Sequence, residues 1–474
     1  VQTSIQREAG GALRAPRWSI GLDFGTAFSK AALAPMGEDG RPNANDLAPL
    51  RIGEAAGWTQ PFLTPSAMFL DRERIHLGAR AVALLRRADL PDRELVRSFK
   101  KALGAADFER ALQRYPRATV DPDRMFRLHD LIVLYLAYLL ALVDLSARAS
   151  TGASIVAGSR LRFTRPGWIP DRIAAAHETM TGLFVQAQAV FAALGSSLCA
   201  AEGIPYAQAR AALDNAQRLP ASSSSLDGGI YEATAVGLCH YADVGAPNCL
   251  LIVDVGGGTT DIAGLVRAPL DSNVAIVRAG RSTIERAGDD FDAILADLLS
   301  AKAKLQSTAE ETRFRRALAP SIREFKAELV ARGAASFVAQ GKRVECTIKE
   351  FENRAACRKL VAEIAALYEQ CLMELVDTAR GHGFRSVGVV LAGGGVSLPA
   401  MRAALSKRKS VRRVKIRFLS EAPHWLHRGA HGGAFSPVFS QLSAALGAAI
   451  STPQSDAAES GVARYAEPAS PPAS

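Results

Sequence analysis

Apolar and polar residues alternate from Trp18 through Ile20-Gly21-Leu22-Asp23-Phe24 and stop at Gly25-Thr26, which predicts a strand entering a turn. A second strand is predicted around Phe28 to Leu33. Residues 79–115 and 124–148 carry apolar side chains at three- and four-residue spacing and are expected to be helical. Ile155 to Phe163 reads as a strand ended by Arg165-Pro166-Gly167, and residues 171–218 read as Ala-rich helix. Loop signals follow at Ser222 to Ser225 and Asp227-Gly228-Gly229, then a short helix from Tyr231 to Tyr241. Leu250 to Asp254 has the composition of a buried strand, broken by Gly256-Gly257-Gly258, with a return strand from Asp261 to Val266. Helices are expected over 289–332 and 350–380, and a buried strand over Ser386 to Leu391. That strand turns at Gly393-Gly394-Gly395 into a helix from Pro399 to Leu405, and a last small-residue helix runs from Gln441 to Ile450.

One pattern occurs twice. Ile20 to Thr26 and Ile252 to Thr259 each read apolar strand, Asp, apolar residue, glycine turn, Thr and second strand. Repetition at this distance predicts two lobes of related topology rather than a short-period solenoid. The expected division is a flexible arm over 1–17, lobe I over 18–240 with a helical insertion near 171–220, lobe II over 241–452, and a disordered Pro/Ser/Ala tail over 453–474.

Composition changes this picture little. Of 474 residues, 48% are hydrophobic and 22% charged, enough for a large buried core. The net charge of +10 favours acidic partners; it admits nucleic acid without favouring it. Six scattered cysteines without a CxxC pair read as thiols of a reducing compartment, and a cytoplasmic location is expected. The longest apolar run, Leu131 to Val143, is shorter than the roughly 20 residues of a membrane span, so a core helix and no transmembrane segment are expected.

The glycine turns carry the chemistry. Successive backbone N–H groups in a turn without Cβ atoms can converge on one anion and form a phosphate nest. Thr26 and Thr259 add a hydroxyl at each turn. An aspartate at the end of the preceding strand would repel phosphate unless a cation stood between them. Asp23 and Asp254 are therefore expected to anchor hydrated magnesium, with Asp261 as a third carboxylate nearby. Gly393-Gly394-Gly395 can lie flat against a sugar or base; alone, such a triplet more often marks close backbone packing.

At these residues the chain resembles the seventy-kilodalton heat-shock chaperones of the actin, sugar-kinase and chaperone ATPase superfamily. Ile20 to Leu33 is similar to the first phosphate motif of that family, Leu250 to Leu265 to the second in its DxGGGTxD form, and Val389 to Leu405 to the adenosine motif. Tyr231 to Asp243 and Gln441 to Ile450 resemble the two connecting helices. The resemblance implies an α/β fold of two lobes, each a mixed sheet flanked by helices, with ATP or ADP and magnesium in the cleft between them. It implies Asp23 and Asp254 as anchors of magnesium-bound water, and Lys100 reaching the γ-phosphate. Glu232 and Asp261 would position the attacking water or help remove its proton. Gly25, Thr26, Gly256, Gly257, Gly258, Thr259, Gly288, Lys326, Gly393, Gly394 and Gly395 would contact the nucleotide.

Departures cluster on the nucleoside side. Arg323 stands where the family has Glu, Val330 where it has Ser, Ser397 where it has the base-stacking Arg, and Gln441 where it has an acid; Ala27 replaces a hydroxyl residue. After the second connecting helix, where the family carries a linker and a peptide-binding domain, the sequence continues as the Pro/Ser/Ala tail. The expected function is thus an ATP-binding, slowly hydrolysing switch acting through a separate protein partner. A small-molecule kinase of the same superfamily and a non-catalytic nucleotide-binding scaffold are the alternatives. Two other features read as ordinary structure: the basic tract from Lys407 to Arg417 as a solvated edge strand, and His424, His427 and His431 as loop rather than a zinc site.

Overall fold

The computed structural model describes residues 17–87, 93–105, 107–165, 173–218, 226–243, 245–267, 274–419, 423 and 435–452. The tail, nearly all of the N-terminal arm, Ser222 to Ser225, and His424, His427 and His431 lie outside the described residues.

Two mixed sheets organise the chain, and they share one topology. The first runs Leu226–Tyr231, Arg160–Arg165, Trp18–Asp23, Phe28–Pro35, Ala48–Pro49, with Thr64–Pro65 also pairing onto Phe28–Pro35. The second runs Ser410–Val411, Val414–Phe418, Ser386–Ala392, Cys249–Val255, Thr260–Arg267, Val274–Ile284. In each, an Asp-ending strand pairs antiparallel with the strand after its glycine turn and parallel with a strand much later in the chain. The repeated motif thus marks a repeated half-domain, and the fold is the expected two-lobed α/β architecture with helices flanking mixed sheets.

Both cores form by the same rule. The central strand Cys249–Val255 is apolar and buried on both faces except at Asp254, as parallel-paired strands are. Helix Leu128–Thr151 is long and apolar enough to cross a membrane, yet its side chains are almost wholly enclosed in the first lobe. The Ala-rich insertion forms helices Ile173–Leu194 and Tyr206–Gln217, and Met180, Leu183 and Phe184 enter the same core. It therefore thickens the first lobe rather than standing off it. All six cysteines are free thiols, five of them buried.

Helix Phe439–Ile450 follows the second sheet in sequence but packs on Trp18–Asp23 and Phe28–Pro35 of the first and crosses Glu232–Tyr241. Small residues make this possible. A Cβ on Gly447 would sit 1.7 Å from the Ala235 carbonyl oxygen, and one on Gly21 would sit 2.2 Å from that of Ala445. Gly447→Ala is accordingly expected to lower stability by about 1–3 kcal/mol, the usual range for overpacking, read as a reduced urea midpoint at unchanged slope.

The local reading fails where tertiary pairing wins. The helix expected over 79–115 ends at Arg87; Val96–Arg97 then pairs with Ala67–Met68, and Ser98 takes a left-handed conformation with φ of 52° that no helix continues through. Helix resumes only at Lys101–Gly104 and at Phe108–Leu112, the latter capped by Asp107. Hairpin Ala334–Ala339 and Lys342–Thr347 lies between the two expected helical stretches, burying Ala335, Val344 and Cys346 on one face. The basic tract does alternate: Val411, Val414 and Ile416 are buried while Lys415 and Arg417 are exposed, and Arg408 pairs with Glu369 at 3.1 Å.

Candidate functional site

Between the lobes lies a cavity of about 1000 Å³. Its walls include Asp23, Gly25, Thr26, Lys100, Glu232, Asp254, Gly256 to Thr259, Asp261, Gly288, Lys326 and Gly393 to Gly395, so every residue singled out from the sequence meets in one space. The two glycine turns face each other directly: a Cβ on Gly257 would come within 3.1 Å of the Ala27 Cβ and 3.2 Å of the Thr26 Cβ. The backbone amides of Thr26, Gly257 and Gly258 donate to no backbone acceptor among the described residues. They are available to an anion, as a nest requires. The third turn backs the second. Gly393 has φ of 80°, and a Cβ there would lie 2.4 Å from Oδ1 of Asp254, so any side chain would displace that carboxylate.

The hairpins differ in charge at matched positions. In the first, Asp23 stands opposite Lys30 in register, and the Lys30 Nζ donates to Asp23 Oδ2 at 2.6 Å. The Thr164 hydroxyl donates to Asp23 Oδ1 at 2.9 Å. Burial pushes the Asp23 pKa up, but Lys30 and Lys100 outweigh it and hold the carboxyl below its ordinary range. In the second hairpin Asp254 stands opposite Asp261. The hydroxyls of Thr259 and Thr283 donate to Asp261 at 2.8 and 2.7 Å, yet burial outweighs them and its pKa is raised. Asp254 has no such help: its Oδ1 is buried without a hydrogen-bond partner. Burial first, then Glu232 and Asp261, push its pKa up to about 8.

No three carboxylates among the described residues are grouped closely enough to ligate a metal directly, but a buried carboxylate oxygen without a donor is one that the water shell of a divalent cation would satisfy. Asp254, with Asp23 across the cleft, fits magnesium held through its water shell. Lys100 sits 3.8 Å from Asp23 Oδ1, donates to Glu232 Oε1, and lies over the Phe24 ring at 5.9 Å. Burial lowers its pKa, but Glu232 and Asp23 more than offset this, so the ammonium stays charged. Burial raises Glu232; Lys100 opposes this, while Asp23 and Asp261 reinforce it, leaving the carboxyl above its ordinary range.

On the nucleoside side, Lys326 pairs with Asp292 at 2.6 Å and donates to the Gly288 carbonyl at 3.0 Å. Val330, Ala327, Ala331 and Leu398 line the same region, with Ser397 and Gln441 as its polar groups. Sequence reading gave no role to Asp289 and Asp292, which take the cations Arg323 and Lys326. Their signal was the acidic run opening helix Gly288–Lys302.

The sequence pattern of the MreB/Mbl protein family matches residues 167–423. The chain is also 29% identical over 180 residues to a chaperone protein HscA homolog of Acidovorax ebreus, covering 38% of this chain and 28% of that protein. It is 28% identical over 199 residues to an HscA homolog of Vibrio cholerae, covering 40% and 30%. An HscA homolog of Burkholderia pseudomallei is 29% identical over 179 residues, covering 37% and 28%. The matched stretch thus spans less than a third of the length of these curated relatives.

Proposed function

The chain belongs to the MreB/Mbl family, within the actin-like ATPase superfamily, and from that premise we propose that it is a magnesium-dependent ATPase whose cleft closes on triphosphate as a switch read by a protein partner. The observation that carries this reading is the unpartnered Oδ1 of Asp254, a residue lining a cavity where two glycine turns face each other. Magnesium, when bound, would offset the charge of the polyphosphate and of these carboxylates. The turn amides at Thr26, Gly257 and Gly258 would bind the phosphates. Lys100 would stabilise charge developing on the γ-phosphoryl group, and Glu232 and Asp261 would orient a water and accept its proton.

The switch follows from geometry. A triphosphate touching both hairpins binds the closed form better than the open one and shifts the population accordingly. We assign the moving parts to residues 18–240 and 241–452, connected through the crossed helices Glu232–Tyr241 and Phe439–Ile450. The likeness to chaperone proteins supports a chaperone-type output through a separate partner, acting in the cytoplasm.

A second reading is favoured by one observation: Arg323 and Lys326 are already committed to Asp289 and Asp292. A nucleotide-binding scaffold without turnover would have the same site. Calorimetric titration with ADP, ATP and GTP, with and without magnesium, together with phosphate release, separates the two. The expected result is magnesium-dependent tightening with ATP and slow phosphate release. Binding without release would favour the scaffold, and no binding of any nucleotide would overturn both.

A further inference from the structure

The mouth of the cleft is tied shut by the protein's own side chains. Arg323, on helix Ile322–Arg332 of the second lobe, donates to Asp289 Oδ1 at 2.9 Å and reaches into the first lobe, to the Ala27 carbonyl and the Ser98 hydroxyl at 3.3 Å each. Asp289 takes two further contacts from the first lobe: the Ser98 hydroxyl at 2.8 Å and the Lys101 ammonium at 3.0 Å. Its own backbone N–H donates to the Gly257 carbonyl at 2.7 Å, which fixes it to the second phosphate turn.

The segment so gripped carries Lys100. Phe99 anchors its inner side in the first-lobe core against Phe24 and Tyr135, but helix Lys101–Gly104 beyond it is a single turn, so the cleft-facing side depends on its contacts. Ser98 is moreover left-handed, a conformation that a non-glycine residue holds only when its surroundings impose it. Here the surroundings are shared: Val96–Arg97 pairs with Ala67–Met68 of the same lobe, while the Ser98 side chain is held by Asp289 and Arg323 of the other. Arg323 and Lys101, against burial, hold the Asp289 carboxyl below its ordinary range, so it stays ionised and keeps its grip.

We propose that Asp289, oriented by Arg323, is a positioning residue that places the Lys100 segment across the cleft, so that the lysine is in its working position only while the lobes are closed. This deepens the ATPase reading and rests on it. Opening the lobes would break these four contacts together, along with those of Arg86 and Arg97 to Pro320, Glu324 and Ala319, and free Ser98 to relax. Asp289 touches no reacting atom in this scheme; it acts through Ser98, Lys101 and the lysine between them.

The test is Asp289→Asn, which keeps size and shape but removes the charge that Arg323 and Lys101 share. The single-turnover rate constant for hydrolysis is expected to fall about 10–100-fold, as for a reacting group displaced by about 1 Å, with Kd for magnesium-ATP changed far less. Amide hydrogen exchange over residues 97–103 of the nucleotide-free protein is expected to quicken, and Asp289→Glu should recover part of the rate. A merely structural role would lower the active fraction and the melting temperature and leave the rate constant intact. An unchanged rate constant overturns the proposal, as does a lost rate without faster exchange. If the wild-type protein releases no phosphate, the ATPase reading fails separately; unchanged exchange in Asp289→Asn would then overturn the positioning role too.

Discussion

Replacing Asp254 by asparagine is expected to weaken magnesium-dependent nucleotide binding by about 10–100-fold, the usual cost of losing a group that holds a metal through its ligands. The reason is electrostatic. The Oδ1 of Asp254 is enclosed and has no donor, and desolvation with the nearby Glu232 and Asp261 raises its pKa to about 8. Below that pH it carries a proton that the cation must displace. Affinity for magnesium-nucleotide should therefore rise with pH up to about 8 and flatten above it, and calorimetry in buffers of different ionisation enthalpy should detect proton release at pH 7. The variant should lose both the slope and the proton. Stability of the metal-free protein shows the same sign. Between the ordinary carboxyl pKa of 3.8 and about 8 the folded state binds the proton more tightly than the unfolded chain, so stability falls as pH rises through that window. A variant with unchanged magnesium dependence would remove Asp254 from the site.

Lys100→Met is expected to bind magnesium-ATP close to normally while its kcat falls by about 10²–10³, the typical effect of removing one preorganised group from developing charge. Methionine keeps an unbranched stem where Lys100 lies over Phe24, so the surface between the lobes is retained. What disappears is the one cation that contacts Glu232 and approaches Asp23 together. Quenched-flow measurement of phosphate release at saturating ATP reads the effect. Ordinary turnover in this variant would mean that another group stabilises the transferring phosphoryl.

That the glycine turns would meet in one cavity was legible because their signal is local. Asp, glycine turn and Thr lie within a few consecutive residues of each hairpin, and the strands that carry them follow from short apolar runs. The two-lobed plan followed from seeing that signal twice. The nucleoside half was legible only as departures from a family pattern, because its partners are far apart in sequence: Arg323 meets Asp289, Ser98 and Ala27 only after folding. The segment around Ser98 was misread for a related reason. Its apolar spacing suits a helix, and only pairing of Val96–Arg97 with a remote strand and a contact from the other lobe override that preference. The Ala-rich stretch was legible as helix but not in its place, which depends on which face meets helix Leu128–Thr151.

The matched hairpins leave one consequence for how a guest molecule is oriented. Aspartate opposite lysine sums formally to zero on one wall, whereas aspartate opposite aspartate, once both protons are lost, sums to minus two on the other. The two hairpins share a frame, and the lysine-for-aspartate difference at matched positions makes them unequal poles. A bound salt of a polyanion has a dipole of its own, so it has one preferred heading in that field, with its counter-ion toward the doubly acidic wall.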